Sequence, residues 1–133
     1  MSAGPSSNSP LKALPWAQQQ GKAAELAALR YLQSRGLEFV DRNARFRVGE
    51  LDLVMRERTI LVFVEVRSRR PSRFGSAVQT IDIHKQRRVV RAAQCWLSRH
   101  QSVTYSCIRF DVVALDGGEL QWIPAAFQAD GVL

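Results

Sequence analysis

Hydrophobic and polar positions alternate in two different periods along this chain, and the switches between them mark its elements. Between Pro15 and Gly36, Ala28, Leu29 and Leu32 recur at helical spacing, which predicts a first helix ending before Gly36. Leu37 to Phe46 reads as a weak first strand. Glu50-Leu51-Asp52-Leu53-Val54-Met55 alternates, so Leu51, Leu53 and Met55 are expected on one face and Glu50 and Asp52 on the other. Arg56-Glu57-Arg58-Thr59 is a polar turn. Ile60 to Arg67 is the strongest strand. Ile60, Val62, Val64 and Val66 take one face, and Leu61, Phe63, Glu65 and Arg67 take the other. A strand apolar on both faces for most of its length belongs at a sheet centre.

After a loop from Ser68 to Gly75, a second helix is expected from the N-cap Asp82 to about His100, with Val89, Val90, Ala93, Trp96 and Leu97 facing the core. Tyr105 to Leu115 reads as a strand, Asp116-Gly117-Gly118 as a turn, and Leu120 to Ile123 as a returning strand. The order is α-β-β-β-α-β-β, which predicts an α/β sandwich with a central mixed sheet flanked by helices. Residues 1–13 are rich in Ser, Pro and Gly and are expected to be a disordered tail, leaving 14–133 as one domain. The chain's 133 residues suit that count.

Charge sharpens this picture. The formal net charge is +7, and of 19 basic residues only Lys12, Lys22 and Lys85 are lysines. The excess is concentrated. Arg67, Arg69, Arg70, Arg73, Lys85, Arg87, Arg88 and Arg91 face a single acid in that window, Asp82, and the remainder of the chain sums to zero. His84, Arg87, Arg88 and Arg91 share one face of the second helix. Arginine's planar fork matches phosphate oxygens, so nucleic acid is the expected partner, ahead of a membrane surface or an acidic protein. No apolar stretch approaches the length of a membrane span, no secretory leader is visible, and Cys95 and Cys107 form no metal-ligand pattern. These features predict a cytoplasmic protein with both cysteines reduced and buried.

Four acids stand out: Glu25 on the apolar stripe of the first helix, and Glu50, Asp52 and Glu65 on adjacent strands. If those strands form a hairpin, Asp52 and Glu65 face each other across the ladder at roughly 5 Å. Like charges that close raise a pKa or require a cation, and hard oxygens suit Mg²⁺ or Mn²⁺. Arg67 can stabilise charge on a phosphate. Spacing alone favours a surface salt-bridge lattice on a solvated sheet face over a metal site. Arg109 and Asp111, on one strand face, read as a structural ion pair; His84 and His100 read as helix-surface residues.

Gly49-Glu50-Leu51-Asp52-Leu53-Val54 followed by Val62-Phe63-Val64-Glu65-Val66-Arg67-Ser68-Arg69 resembles the signature of the YraN-type family of uncharacterised bacterial proteins. Gly21 to Glu25, Phe74-Gly75, Lys85 and Arg109 to Val113 extend the match. That family is similar to the PD-(D/E)XK nucleases, which include junction resolvases and restriction endonucleases. The resemblance implies a restriction-endonuclease-like fold that binds DNA, branched DNA included, and hydrolyses phosphodiesters, with homodimers common among junction cutters. It implies Mg²⁺ or Mn²⁺ held by Glu25, Asp52, Glu65 and the Val66 carbonyl. The basic window itself, through Arg69, Arg70, Arg73, Lys85, Arg87, Arg88 and Arg91, is expected to contact the nucleic-acid backbone. Glu50 and Gln79 would support the site. One position departs from the pattern: Arg67 stands where the motif has lysine. Arginine stays protonated and cannot act as a base; Lys85, which begins the second helix near the loop after Arg67, and Gln79 before it could compensate, although a phosphate contact or a surface position suits Lys85 equally. The alternative is a nuclease fold that binds nucleic acid without cutting it.

Overall fold

The computed structural model describes residues 16–69 and 81–129. Its elements are helix α1 (Trp16–Ser34), strands β1 (Glu38–Phe46), β2 (Gly49–Glu57) and β3 (Ile60–Arg69), helix α2 (Ile83–Arg99), and strands β4 (Cys107–Asp116) and β5 (Glu119–Phe127). This is the α/β sandwich with the element order expected from the sequence. The tail at 1–13, the loop arginines Arg70 and Arg73, Gln79 and the Arg69 side chain lie outside the described residues.

The sheet runs β1-β2-β3-β4-β5. Only the β3–β4 pair is parallel. A parallel neighbour needs a crossover, and α2 provides it. Asp82 caps α2, its carboxylate accepting the Lys85 N–H at 2.9 Å. The last strand is longer than its pattern suggests because Phe127 pairs with Phe110 beyond an irregularity in the ladder.

Each helix covers one sheet face. Under α1, Ala28, Leu32, Leu37, Leu53, Met55, Val62, Val64 and Val113 form one core cluster. Under α2, Leu51, Val54, Leu61, Phe63, Val89, Val90, Ala92, Ala93, Trp96 and Phe110 form the other. Phe63 meets Trp96 edge-on at 6.0 Å and stacks on Phe110 at 5.7 Å. The Trp96 indole N–H donates to Asp41 Oδ2 at 2.8 Å, which satisfies the polar end of a buried aromatic.

Two sequence expectations are corrected. Leu51 does not share a face with Leu53 and Met55; it packs in the α2 cluster, while they pack under α1. Regular alternation is therefore broken at Asp52. The partner strand is distorted at the same step, because Asn43, between the Arg42↔Leu53 and Ala44↔Leu51 pairs, has φ 54°. Cys107 is exposed, because it opens β4 beyond the edge of both core clusters; Cys95 is partly buried, and both are free thiols. Among the described residues, no helix is long and apolar enough to cross a membrane.

Candidate functional site

The central sheet opens where the candidate acids lie. The β2–β3 ladder runs from Glu57↔Ile60 to Leu53↔Val64 and stops. Beyond it, β2 continues to pair with β1 down to Gly49, and β3 continues to pair with β4 out to Arg69. The two central strands thus diverge at Asp52 and Glu65. Asp52 fills the gap in hydrogen bonding, its Oδ2 accepting the Val66 N–H at 2.8 Å. Val66 therefore supplies its amide to the site; its carbonyl belongs to the same step of β3.

Asp52 is 9 % exposed and Glu65 is 3 % exposed. Their carboxyl groups lie within hydrogen-bonding reach of one another. Burial, and then the Asp52 charge, push Glu65 up to about 8 from an ordinary 4.5, while Lys85 opposes the rise. Asp52 is also raised, by burial first, and the Val66 amide opposes the shift. Such a pair titrates as a unit, and without a cation it holds a proton near neutrality.

Two basic side chains reach the pair. Lys85 Nζ is 3.3 Å from Glu65 Oε2, and Arg67 Nη1 is 4.0 Å from the same oxygen. The closer cation is thus the lysine from the first turn of α2. The sequence offers Lys85 as a substitute for the motif lysine, and the α2 crossover brings it to Glu65. Glu25, on α1, is half-buried and raised by burial and then by the Asp52 charge. It senses the pair electrostatically from the opposite layer. Glu50 is more exposed and pairs with Arg45, Nε to Oε2 at 3.6 Å.

Arg87, Arg88 and Arg91 are exposed along α2, as the sequence predicts for a basic face. His84 is exposed as well; His100 is half-buried at the C-cap and stacks on Trp96 at 3.9 Å. Among the described residues, no three His, Cys, Asp or Glu side chains gather closely enough to hold a metal ion by themselves. The donor set fits a divalent ion in a narrower sense. Two hard carboxylates, one of them holding a proton that a cation would displace, suit Mg²⁺ or Mn²⁺ when water and phosphate complete the coordination.

A second acidic cluster lies on β4. Asp111 is fully buried and accepts from Arg109 Nε at 2.8 Å, Arg109 Nη2 at 2.9 Å, Trp122 Nε1 at 2.9 Å and the Ala125 amide at 3.0 Å. Arg109 also donates to Glu57 at 2.6 Å. Every lone pair of Asp111 is engaged, so this is the structural pair expected from the sequence, enlarged by β5.

Comparison with known proteins agrees with the signature around Asp52 and Glu65. Residues 24–115 match the model of uncharacterised protein family UPF0102. A UPF0102 protein of Klebsiella pneumoniae is 47 % identical over 111 residues, covering 82 % of this chain and 86 % of its own. Another from Ralstonia nicotianae is 47 % identical over 122 residues, covering 89 % and 93 %. A third from Xanthomonas euvesicatoria is 49 % identical over 115 residues, covering 85 % and 94 %. The chain belongs to the UPF0102 family, the YraN-type family its signature resembles.

Proposed function

We propose that this UPF0102 chain binds nucleic acid, DNA in the first instance, and hydrolyses phosphodiester bonds at the opening between β2 and β3. One observation carries the reading: two buried carboxylates share a break in the central sheet with a lysine ammonium 3.3 Å from one of them. A structural ion pair would leave one acid for one base. Here two acids compete for Lys85, and the arrangement becomes favourable when more positive charge arrives.

Asp52, Glu65 and the Val66 carbonyl would hold Mg²⁺ or Mn²⁺, and Glu25, which does not gather with them, would act on the site through its charge from α1. When bound, the ion supplies charge neutralisation at the scissile phosphate and lowers the pKa of an attacking water. The chain's own groups do the rest. The Val66 amide fixes the Asp52 carboxylate. The Lys85 ammonium orients the oxygens of Glu65 and offers its remaining donors to a phosphate or a water. Arg67 adds a fixed positive charge where negative charge develops on the phosphate. Arg87, Arg88 and Arg91 hold the flanking backbone without reading sequence. The arginine at the motif position favours a binding-only protein on sequence grounds; Lys85 beside Glu65 supports activity, because it restores the missing ammonium from another element.

Calorimetric titration of Mn²⁺ into the wild type and Asp52→Asn, followed by plasmid cleavage with both, tests the reading. Saturable binding and cleavage that both disappear in the variant are expected. Cleavage that persists unchanged in Asp52→Asn would overturn the assignment of the site. DNA binding by a wild type that neither takes up Mn²⁺ nor cleaves would favour the binding-only alternative.

A further inference from the structure

The sequence places all the excess charge between Arg67 and Arg91, and Arg45 and Arg47 fall outside that window. The fold brings them back to it. The end of the β1–β2 hairpin leans onto α2 so closely that a Cβ on Gly49 would lie 2.6 Å from the Arg88 carbonyl oxygen. Only glycine allows this backbone approach. Phe46, beside it, packs against the α2 core cluster, with the Arg99 guanidinium 4.9 Å over its ring. The hairpin is therefore held in place from both sides of its turn.

Between hairpin and helix lies an open cleft of about 330 Å³, whose lining includes Arg45, Arg47, Gly49, Glu50, Lys85 and Arg88. Four basic side chains face one acid there. Its lining includes Lys85, whose ammonium is 3.3 Å from Glu65. The only acid, Glu50, is about half exposed and sits 3.6 Å from Arg45, a separation at which an exposed pair contributes little and yields to a stronger anion.

We infer that this cleft is a phosphate-binding channel for a nucleic-acid strand, with Arg45 and Arg47 of the hairpin and Arg88 of α2 gripping backbone phosphates on the side of the Asp52–Glu65 pair away from β4. It rests on the proposed nucleic-acid function and specifies where the strand runs: between hairpin and helix, then past Lys85 to the carboxylates. The ligand is the phosphodiester backbone itself, because the arginine forks in the lining match phosphate oxygens, and phosphate contacts read no sequence.

The test is the affinity of the full chain for a short fluorescein-labelled DNA duplex across a salt series, with Arg45→Ala/Arg47→Ala as the variant. Both side chains are solvent-accessible in part, so the variant is expected to melt with the wild type. Arg30→Ala/Arg35→Ala removes the same charge from exposed positions at the C-terminal part of α1 and in the turn after it, in the opposite layer. Loss of affinity of about tenfold or more at low salt is expected for the hairpin variant, with a salt slope shallower by about 2. The α1 variant should bind nearly as the wild type. Equal losses in the two variants would reduce the effect to net charge and overturn the channel. Wild-type affinity in the hairpin variant would also overturn it, while leaving the proposed function standing. A wild type that binds no DNA would remove the function and the channel together.

Discussion

Two buried acidic sites lie on neighbouring strands of one sheet, and they are built on opposite principles. On β4, Asp111 has four donors for its two oxygens, and Arg109 brings both charge balance and fork geometry. On β2 and β3, Asp52 and Glu65 have one amide, one close ammonium and each other. The first site is satisfied by the chain. The second is incomplete without a proton or a cation. The strand pairing explains how both can exist within a few residues: Val64 pairs with Asp111 in an unbroken parallel ladder, whereas one step further along β3 the ladder to β2 has ended. A buried carboxylate inside a closed ladder serves the fold, and one at its open end is available for chemistry.

The comparison can be broken most severely at Asp111. Asp111→Ala strips Arg109 of its bidentate partner and orphans the Trp122 N–H and the Ala125 amide. Removing one partner of a buried pair costs about 3–5 kcal/mol. Denaturant unfolding should show a loss of that size, with DNA binding retained in the folded fraction. A loss below about 1 kcal/mol would show that the network is not structural.

Asp52→Asn should move stability the other way. Asn keeps an oxygen to accept the Val66 amide and removes the charge that repels Glu65. The metal-free variant should be more stable by about 0.5–2 kcal/mol at pH 8 to 9, while losing Mn²⁺ binding and cleavage. The gain should depend on pH. Glu65 is raised on folding, from 4.5 to about 8. Its favourable contribution is therefore whole below about pH 4.5 and is lost as pH rises through about 8. Wild-type stability should fall across that window through this group, and Asp52→Asn should flatten the fall. A pH-independent difference between the two proteins would show that Asp52 and Glu65 do not repel.

Much of this contrast was legible in the sequence. The period-2 run at Ile60 to Arg67 identified a central strand, and the Glu65–Arg67 ending marked where its apolar character stopped. A hairpin register places Asp52 opposite Glu65, and their carboxyl groups do meet, but beyond the end of the ladder and not across it; Arg109 pairs with Asp111 as their i, i+2 spacing predicts. What could not be read was anything that depends on non-local backbone. Leu51 looked like a partner of Leu53 because alternation assumes a flat ladder, and the distortion at Asn43 and Asp52 violates it. Lys85 is a candidate from sequence, but its choice of Glu65 over a surface or phosphate role depends on the crossover that returns α2 over the sheet. The hairpin arginines joined the basic surface only through the contact of Gly49 with Arg88. Trp122 and Ala125 reached Asp111 across the irregular β4–β5 ladder, which no local pattern encodes.

A milder change at the satisfied site tests how its strength is distributed. Trp122→Phe removes one neutral donor to Asp111 and keeps the ring, which meets Tyr31 edge-on at 6.4 Å. Three donors remain. The expected cost is about 1 kcal/mol, the net worth of one hydrogen bond whose acceptor stays partnered. Asp111→Ala and Trp122→Phe share a network, so their effects should fall short of additivity in the double variant.

The smallest effect on stability is expected at Arg67, and it bears most directly on the open site. Arg67 Nη1 sits 4.0 Å from Glu65, at the outer limit of an ion pair, with a quarter of its side chain exposed. Arg67→Lys preserves the charge and should change stability by no more than about 0.5 kcal/mol. Its effect on cleavage then distinguishes two designs. If Lys85 is the working ammonium, Arg67→Lys alters the cleavage rate only a few-fold, while Lys85→Met lowers it by about 10² or more, the scale of losing one preorganised charge at a phosphate. If the motif position is the one that matters, the order reverses: Arg67→Lys produces a large gain, and Lys85→Met costs little beyond DNA affinity. The positions of Lys85 and Arg67 relative to Glu65 favour the first outcome, because a charge acts through its distance from the reacting group and not through its place in a motif.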